Sequence, residues 1–285
     1  MDALKWLRID IEVEEGYRPP FFAGSMLRGA LGVALKRVVC INPSYRCEGC
    51  FAAKECLYHQ WYEEKDRYHP YRITAPLGME RLHFSVWLYE EATGQLPYVL
   101  SAIRHALEET GLGRQKERVR IRSMKIGVRV VYEKGVFHSL EGIEANEFLP
   151  EKLEGDWALE WNLPLRIKED NRFARKSDGV KLTTIVNSIH RRYHQLKGGE
   201  VPKLGYRLQG EVTRQQWRYL DLYRYSNRQR TRMKLGGLMG SLRIEGLDKQ
   251  SSFYLQLGEI LGVGKQTVFG LGSYSLRPIT RKETT

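Results

Sequence analysis

Twice in succession the chain runs through the same series of hydrophobic periods, and that repetition restricts its fold more than any single motif does. Residues 5–13 alternate through Ile9, Ile11 and Val13, the two-residue period of a strand. Residues 21–39 place apolar side chains at 22, 26, 27, 30, 31, 34, 35 and 38, the 3.6-residue period of a helix. Residues 72–75 and 82–89 read as strands. Residues 96–109 read as a helix stopped by Gly111 and Gly113, and residues 119–132 alternate again as a strand or hairpin.

An acidic, polar stretch broken by Pro150 follows, at residues 144–155, and marks a boundary between domains 1–148 and 149–285. The second half repeats the order. Residues 157–167 form a strand, and residues 182–196 a helix with Ile185, Ile189, Tyr193 and Leu196 on one face. Residues 208–225 and 235–244 are strands, 252–261 a short helix, and 271–276 the last strand. Each half is thus β-α-β-β-α-β, and the expected fold class is α+β, two tandem ferredoxin-like domains with an insertion in the first. Such a unit has an antiparallel sheet with both helices on one face, leaving the other face for RNA or for a partner domain.

The insertion holds every cysteine of the chain, as Cys40-x6-Cys47-x2-Cys50-x5-Cys56, and runs on to residue 62 through Tyr58-His59-Gln60-Trp61-Tyr62. No run approaches the roughly 20 apolar residues of a membrane span, and the first ten residues alternate and carry charge, unlike a secretory signal. A cytoplasmic, non-membrane protein is expected, and in that reducing compartment two disulfides in one short loop are disfavoured. Four bunched thiolates suit a structural tetrahedral metal site, most simply zinc; an iron–sulfur cluster uses the same ligands.

Charge points to the partner class. The chain has 46 Lys and Arg against 34 Asp and Glu, a net +12, which favours nucleic acid or another polyanion. Two segments concentrate the signal. Arg224-Tyr-Ser-Asn-Arg-Gln-Arg-Thr-Arg-Met-Lys234 carries five positive charges in eleven residues. On a strand, Arg228, Arg230 and Arg232 would share one face along a phosphate strip, with Tyr225 and Tyr223 as stacking surfaces. Gly262-Val-Gly-Lys-Gln-Thr-Val-Phe-Gly-Leu-Gly272 joins a helix to a strand. Gly262, Gly264, Gly270 and Gly272 would let a ligand approach successive backbone N–H groups beside Lys265. The loop is no dinucleotide fingerprint, since those glycines follow a strand and open a helix. On the helix at 182–196, His190 and His194 stand four residues apart on one face, with no acidic third ligand near, so that face reads as an RNA-facing or structural one.

Four features in this order, spanning about residues 5–277, carry a family resemblance. They are Phe22-Ala-Gly-Ser-Met-Leu-Arg-Gly-Ala-Leu31, the four-cysteine insertion, Arg224-Tyr-Ser-Asn-Arg-Gln with its following Leu-Gly-Gly, and the terminal glycine loop. Together they resemble the CRISPR precursor-RNA-processing endoribonucleases of the RAMP superfamily. The resemblance implies two tandem ferredoxin-like domains and cleavage of CRISPR repeat RNA without a metal in the chemistry. The ribose 2′-OH would attack the adjacent phosphorus, giving a 2′,3′-cyclic phosphate and a 5′-OH. It places active sites where the first helix and its following loop face the glycine loop of the second domain. A base, an acid and a cation are required. Within the matching region Arg28 and Lys36 are the cation candidates, His59 is the first acid/base candidate and His190 its rival. CRISPR repeat RNA, other effector subunits and a monomeric or homodimeric state are the expected partners. A non-catalytic RAMP subunit holding guide RNA, or a zinc-containing nucleic-acid-binding regulator, are the alternative functions.

Overall fold

The computed structural model describes residues 2–64, 68–175, 180–226 and 231–279. The chain forms two compact units. Leu4–Glu147 makes one; the chain from Phe148 on, with Asp2 and Ala3, makes the other.

In the first unit β1 (Leu4–Val13) leads to α1 (Gly24–Val39), then to β2 (Tyr71–Thr74), β3 (His83–Tyr89), α2 (Leu96–Arg104) and β4 (Ile121–Ile126). The sheet order is β2-β3-β1-β4, antiparallel throughout, the ferredoxin-like arrangement. β5 (Arg129–Glu133) and β6 (Val136–Phe137) extend it beyond β4, and β7 (Asn146–Phe148) pairs with β1. The alternation in β1 sends Leu7, Ile9, Ile11 and Val13 into the core, where Leu27, Leu31 and Leu35 of α1 and Val99 and Ile103 of α2 meet them. Each fully buried side chain of this kind contributes about 1.5–3 kcal/mol. α2 continues past Arg104 as a wider helical turn, His105–Thr110, before Gly111 ends it with φ 80°.

The second unit repeats the plan with β8 (Gly155–Trp161), a small hairpin of β9 (Lys168–Glu169) and β10 (Arg172–Phe173), then α3 (Leu182–Leu196) and β11 (Glu211–Leu220). After these come a second hairpin of β12 (Tyr223–Ser226) and β13 (Thr231–Lys234), then β14 (Gly237–Leu247), α4 (Lys249–Leu261) and β15 (Tyr274–Pro278). Its sheet order, β11-β14-β8-β15, is again antiparallel and again ferredoxin-like. The expected double fold is therefore present.

Three element boundaries differ from the sequence expectation, each for a local reason. The strand beginning near Trp157 ends at Trp161, short of Pro164, which has no N–H for a ladder. The long strand expected over 208–225 breaks at Asp221-Leu222 into β11 and β12. α4 starts three residues early because Asp248 caps it, accepting the N–H groups of Gln250 at 3.0 Å and Ser251 at 2.8 Å. Among the described residues no helix is long and apolar enough to cross a membrane.

Candidate nucleic-acid interface

The glycine loop sits between α4 and β15, and most of its backbone is already engaged. Gly262 ends α4 with its N–H on the Gly258 carbonyl, 2.7 Å away. Val263 N–H reaches the Gly272 carbonyl at 3.0 Å, closing the loop on itself. Gly264 N–H donates to Ser188 Oγ on α3 at 2.9 Å, and Lys265 N–H to the Arg166 carbonyl at 2.7 Å. Gly270 and Gly272 donate to the carbonyls of Thr267 and Pro164. Arg192, 2% exposed on α3, donates from Nη1 to Thr267 Oγ1. The expected open row of N–H donors at Gly262, Gly264, Gly270 and Gly272 is thus spent inside the unit. The glycines serve close packing: a Cβ on Gly272 would collide with the Val263 carbonyl oxygen. What the loop presents outward is the exposed Lys265.

Cations and aromatic rings gather beside this loop. Arg224 of β12 places its guanidinium 5.0 Å from the ring centroid of Phe269, within the loop itself. Arg166, whose carbonyl holds Lys265, lies 3.7 Å from the centroid of Phe173, and Lys168 lies 5.3 Å from the same ring. Arg175 stands 5.9 Å from the ring of Tyr219. Burial holds the Arg166 guanidinium below the ordinary arginine value, Tyr219 opposing that shift and Arg175 adding to it. The sequence reading missed Arg166, Phe173, Arg175 and Tyr219. Their signal was present in Asp170-Asn171, which take φ 45° and 63° as the two central residues of the β9–β10 turn.

Within the β12–β13 hairpin, Tyr225 pairs directly with Arg232 and Arg224 with Met233. Arg228 and Arg230 lie outside the described residues.

The first unit builds a second group on α1. Five residues after the cysteine loop, His59–Glu63, form one wide helical turn laid against α1. Tyr62 sits over Gly32, where an added Cβ would come within 2.9 Å of ring atom Cδ1, and its hydroxyl donates to the Arg28 carbonyl at 3.1 Å. Arg28 stacks 4.6 Å from the Tyr62 centroid, and Lys36 Nζ lies 4.8 Å from that of Tyr58. Tyr58 and Tyr62 are themselves stacked at 5.4 Å. Burial would lower the Arg28 pKa, but Tyr71, Tyr62 and Tyr58 outweigh it, and the value is raised. His59, half-buried, is therefore carried on a segment fastened to the helix that bears Arg28 and Lys36.

His190 differs. It is 4% exposed, its ring 4.5 Å from that of His194 and 5.2 Å from Tyr254 of α4, so it belongs to the packing between α3 and α4. Burial, with His194 and Arg191 nearby, pushes its pKa down.

Cys40, Cys47, Cys50 and Cys56 are free thiols, each half-buried. Cys50 N–H donates to the Cys47 carbonyl at 3.2 Å, so these two share one tight turn. Among the described residues no three His, Cys, Asp or Glu side chains are gathered to hold a metal, and the four-sulfur set suggested by the spacing is not assembled here.

Comparison with known proteins adds a family match over part of the chain. Residues 159–274 match the family model for CRISPR-associated endoribonuclease Cas6. That match falls within the second unit. Residues 3–143 match the AF_1859_N family model, an N-terminal domain. The resemblance to the CRISPR repeat-RNA-processing RAMP proteins, read from the residues, holds. An uncharacterised protein of Archaeoglobus fulgidus is 25% identical over 283 residues, covering 92% of this chain and 93% of that one. Among solved structures, the Cas6 (TTHB231) product complex matches at TM-score 0.58 and 14% identity, over 98% of this chain and 100% of that chain. A RAMP protein binding different RNA substrates matches at TM-score 0.52 and 12% identity, over 96% and 99%. The product of a Cas6-related gene from Pyrococcus furiosus matches at TM-score 0.50 and 14% identity, over 97% and 100%. At these identities the structural likeness speaks to the fold.

Proposed function

We propose that this protein binds CRISPR repeat RNA and cuts the precursor transcript without a metal in the chemistry, yielding guide RNAs. The observation that carries this reading is the match of residues 159–274 to the Cas6 endoribonuclease model, set in a doubled ferredoxin-like fold. The ribose 2′-OH attacks the neighbouring phosphorus, the P–O5′ bond breaks, and the products are a 2′,3′-cyclic phosphate and a 5′-OH. A base must take the 2′ proton and an acid must return one to the leaving oxygen. His59 is suited to that work by its chemistry and by its half-exposed place on the turn stacked against α1. Lys36 and Arg28, oriented by Tyr58 and Tyr62, are the groups to stabilise the extra charge on the phosphorane. In the second unit, Arg224 and Lys265 bind RNA backbone beside the glycine loop, with Tyr225 and Arg232 opposite each other on the hairpin.

The test is incubation of purified protein with a single repeat RNA in EDTA, with end-group analysis of the fragments. The reading predicts one cut with a cyclic phosphate on the upstream piece. Intact RNA bound by the protein would instead make the chain a non-catalytic RAMP subunit.

A further inference from the structure

The guanidinium of Arg166 occupies a position that its own unit does not complete. It is half-buried, and among the described residues no carboxylate forms an ion pair with it. One of its nitrogens, Nη1, donates to the Gly236 carbonyl at 2.9 Å. The Nε–H is buried and has no partner among the described residues. Arg175 is its cationic neighbour, and both arginines interact with Tyr219. A buried guanidinium is costly to hold without a counter-charge, and folded proteins ordinarily supply a carboxylate. Here the charged side chain that acts on it is a second cation, Arg175.

The position is also rigid. Phe173 covers one face of the guanidinium at 3.7 Å, and the Arg166 carbonyl is tied to Lys265 N–H at 2.7 Å. The planar fork is therefore held in one orientation, at the foot of the glycine loop, before any ligand arrives. Lys168, exposed, shares the Phe173 ring with it, and Arg175 is exposed, so two further cations lie at the approach. A half-exposed guanidinium with a fixed plane and, among the described residues, no ion-paired carboxylate fits one kind of group: a tetrahedral oxyanion bound through the fork.

We propose that Arg166 is a phosphate-binding residue that receives a phosphodiester of the RNA backbone, with Arg175 as the second cation of the same subsite. This rests on the chain being an RNA-binding protein, and it adds a contact outside the β12–β13 hairpin and the glycine-loop lysine. Through its bond to Lys265, the subsite would set the register of the backbone as it passes the glycine loop.

The experiment compares Arg166→Met and Arg166→Lys with the wild type, using labelled repeat RNA and an oligouridylate of equal length across a salt series. Methionine keeps the apolar stem against Phe173 and removes the charge. It should weaken binding of both RNAs by about tenfold, one charge-assisted hydrogen bond's worth. The slope of log affinity against log salt should flatten by roughly 0.7, one single-strand phosphate. Lysine keeps a charge but not the fork, and should lose affinity with the salt slope unchanged. Arg104→Gln, which removes an exposed arginine paired with Glu109 at 2.6 Å in the first unit, should change neither. A merely structural Arg166 would lower the melting temperature and leave the slope alone; an unchanged slope in Arg166→Met overturns the proposal. If the wild type binds RNA but never cuts the repeat, the nuclease reading falls while the slope still judges Arg166. If the wild type binds neither RNA, both fall.

Discussion

Gly272→Ala tests whether the glycine loop is built for packing. Gly272 has φ +75°, a left-handed conformation that costs an L-residue about 1–2 kcal/mol. A new methyl would also strike the Val263 carbonyl oxygen. Neither partner can retreat freely, because Gly272 N–H is bound to the Pro164 carbonyl at 2.9 Å and Val263 N–H to the Gly272 carbonyl at 3.0 Å. Overpacking of this kind costs about 1–3 kcal/mol, so the sum is roughly 2–5 kcal/mol. A unit of about 140 residues unfolds with an entropy near 0.3 kcal/mol/K, which converts the loss into a fall of roughly 7–17 °C in Tm. Gly246→Ala is the matched control. It has φ +61° but nothing within 4 Å of an added Cβ, so only the conformational cost remains, roughly 3–7 °C. Thermal unfolding followed by near-ultraviolet circular dichroism reads both, since Trp161 and Trp217 lie 4.9 Å apart in this unit. Equal shifts for the two variants would show that the collision is not there and that the loop has room.

His59→Ala should slow repeat cleavage by about 10²-fold or more with RNA affinity nearly unchanged; single-turnover kinetics check this, and a wild-type rate would remove His59 from the chemistry. His190→Asn should lower stability while leaving the rate per folded molecule close to wild type, because the ring is buried against Tyr254. Burial depresses both His190 and His194. The unfolded chain therefore takes protons that the folded unit refuses, so stability is full above about pH 6.5 and falls as pH drops below it. His190→Phe should flatten that decline in a Tm-versus-pH series. Asp248→Ala should cost about 1–2 kcal/mol through loss of the α4 cap, measured by denaturant titration, and an unchanged midpoint would mean the cap is idle.

The doubled topology was legible because both halves keep their periods. β1 alternates from Leu7 to Val13, and the Ile185, Ile189 and Tyr193 stripe of α3 does face inward. Side-chain roles on those elements were harder to read. A 3.6-residue stripe gives the direction of a buried face but not its width, and α3 also buries His190 and Arg192, which its polar character did not suggest. The glycine loop was identified correctly as a special backbone, yet composition cannot say whether close approach comes from a ligand or from the protein's own carbonyls. The β9–β10 hairpin escaped because its strands are two residues long, too short for any period to show; only Asp170-Asn171 betrayed it. On the first unit, the spacing from Lys36 to Tyr58 hides their contact, which depends on how the loop between them folds back.

The most direct test of the account replaces one ribose. Once the cut in the repeat RNA has been mapped, the nucleotide 5′ to it is synthesised with a 2′-deoxyribose and offered to the protein in EDTA. Binding at wild-type affinity with complete loss of cleavage is the predicted result, because the proposed nucleophile belongs to the substrate. Continued cleavage at the same bond would mean that water or a protein side chain attacks the phosphorus, and the proposed chemistry would be wrong.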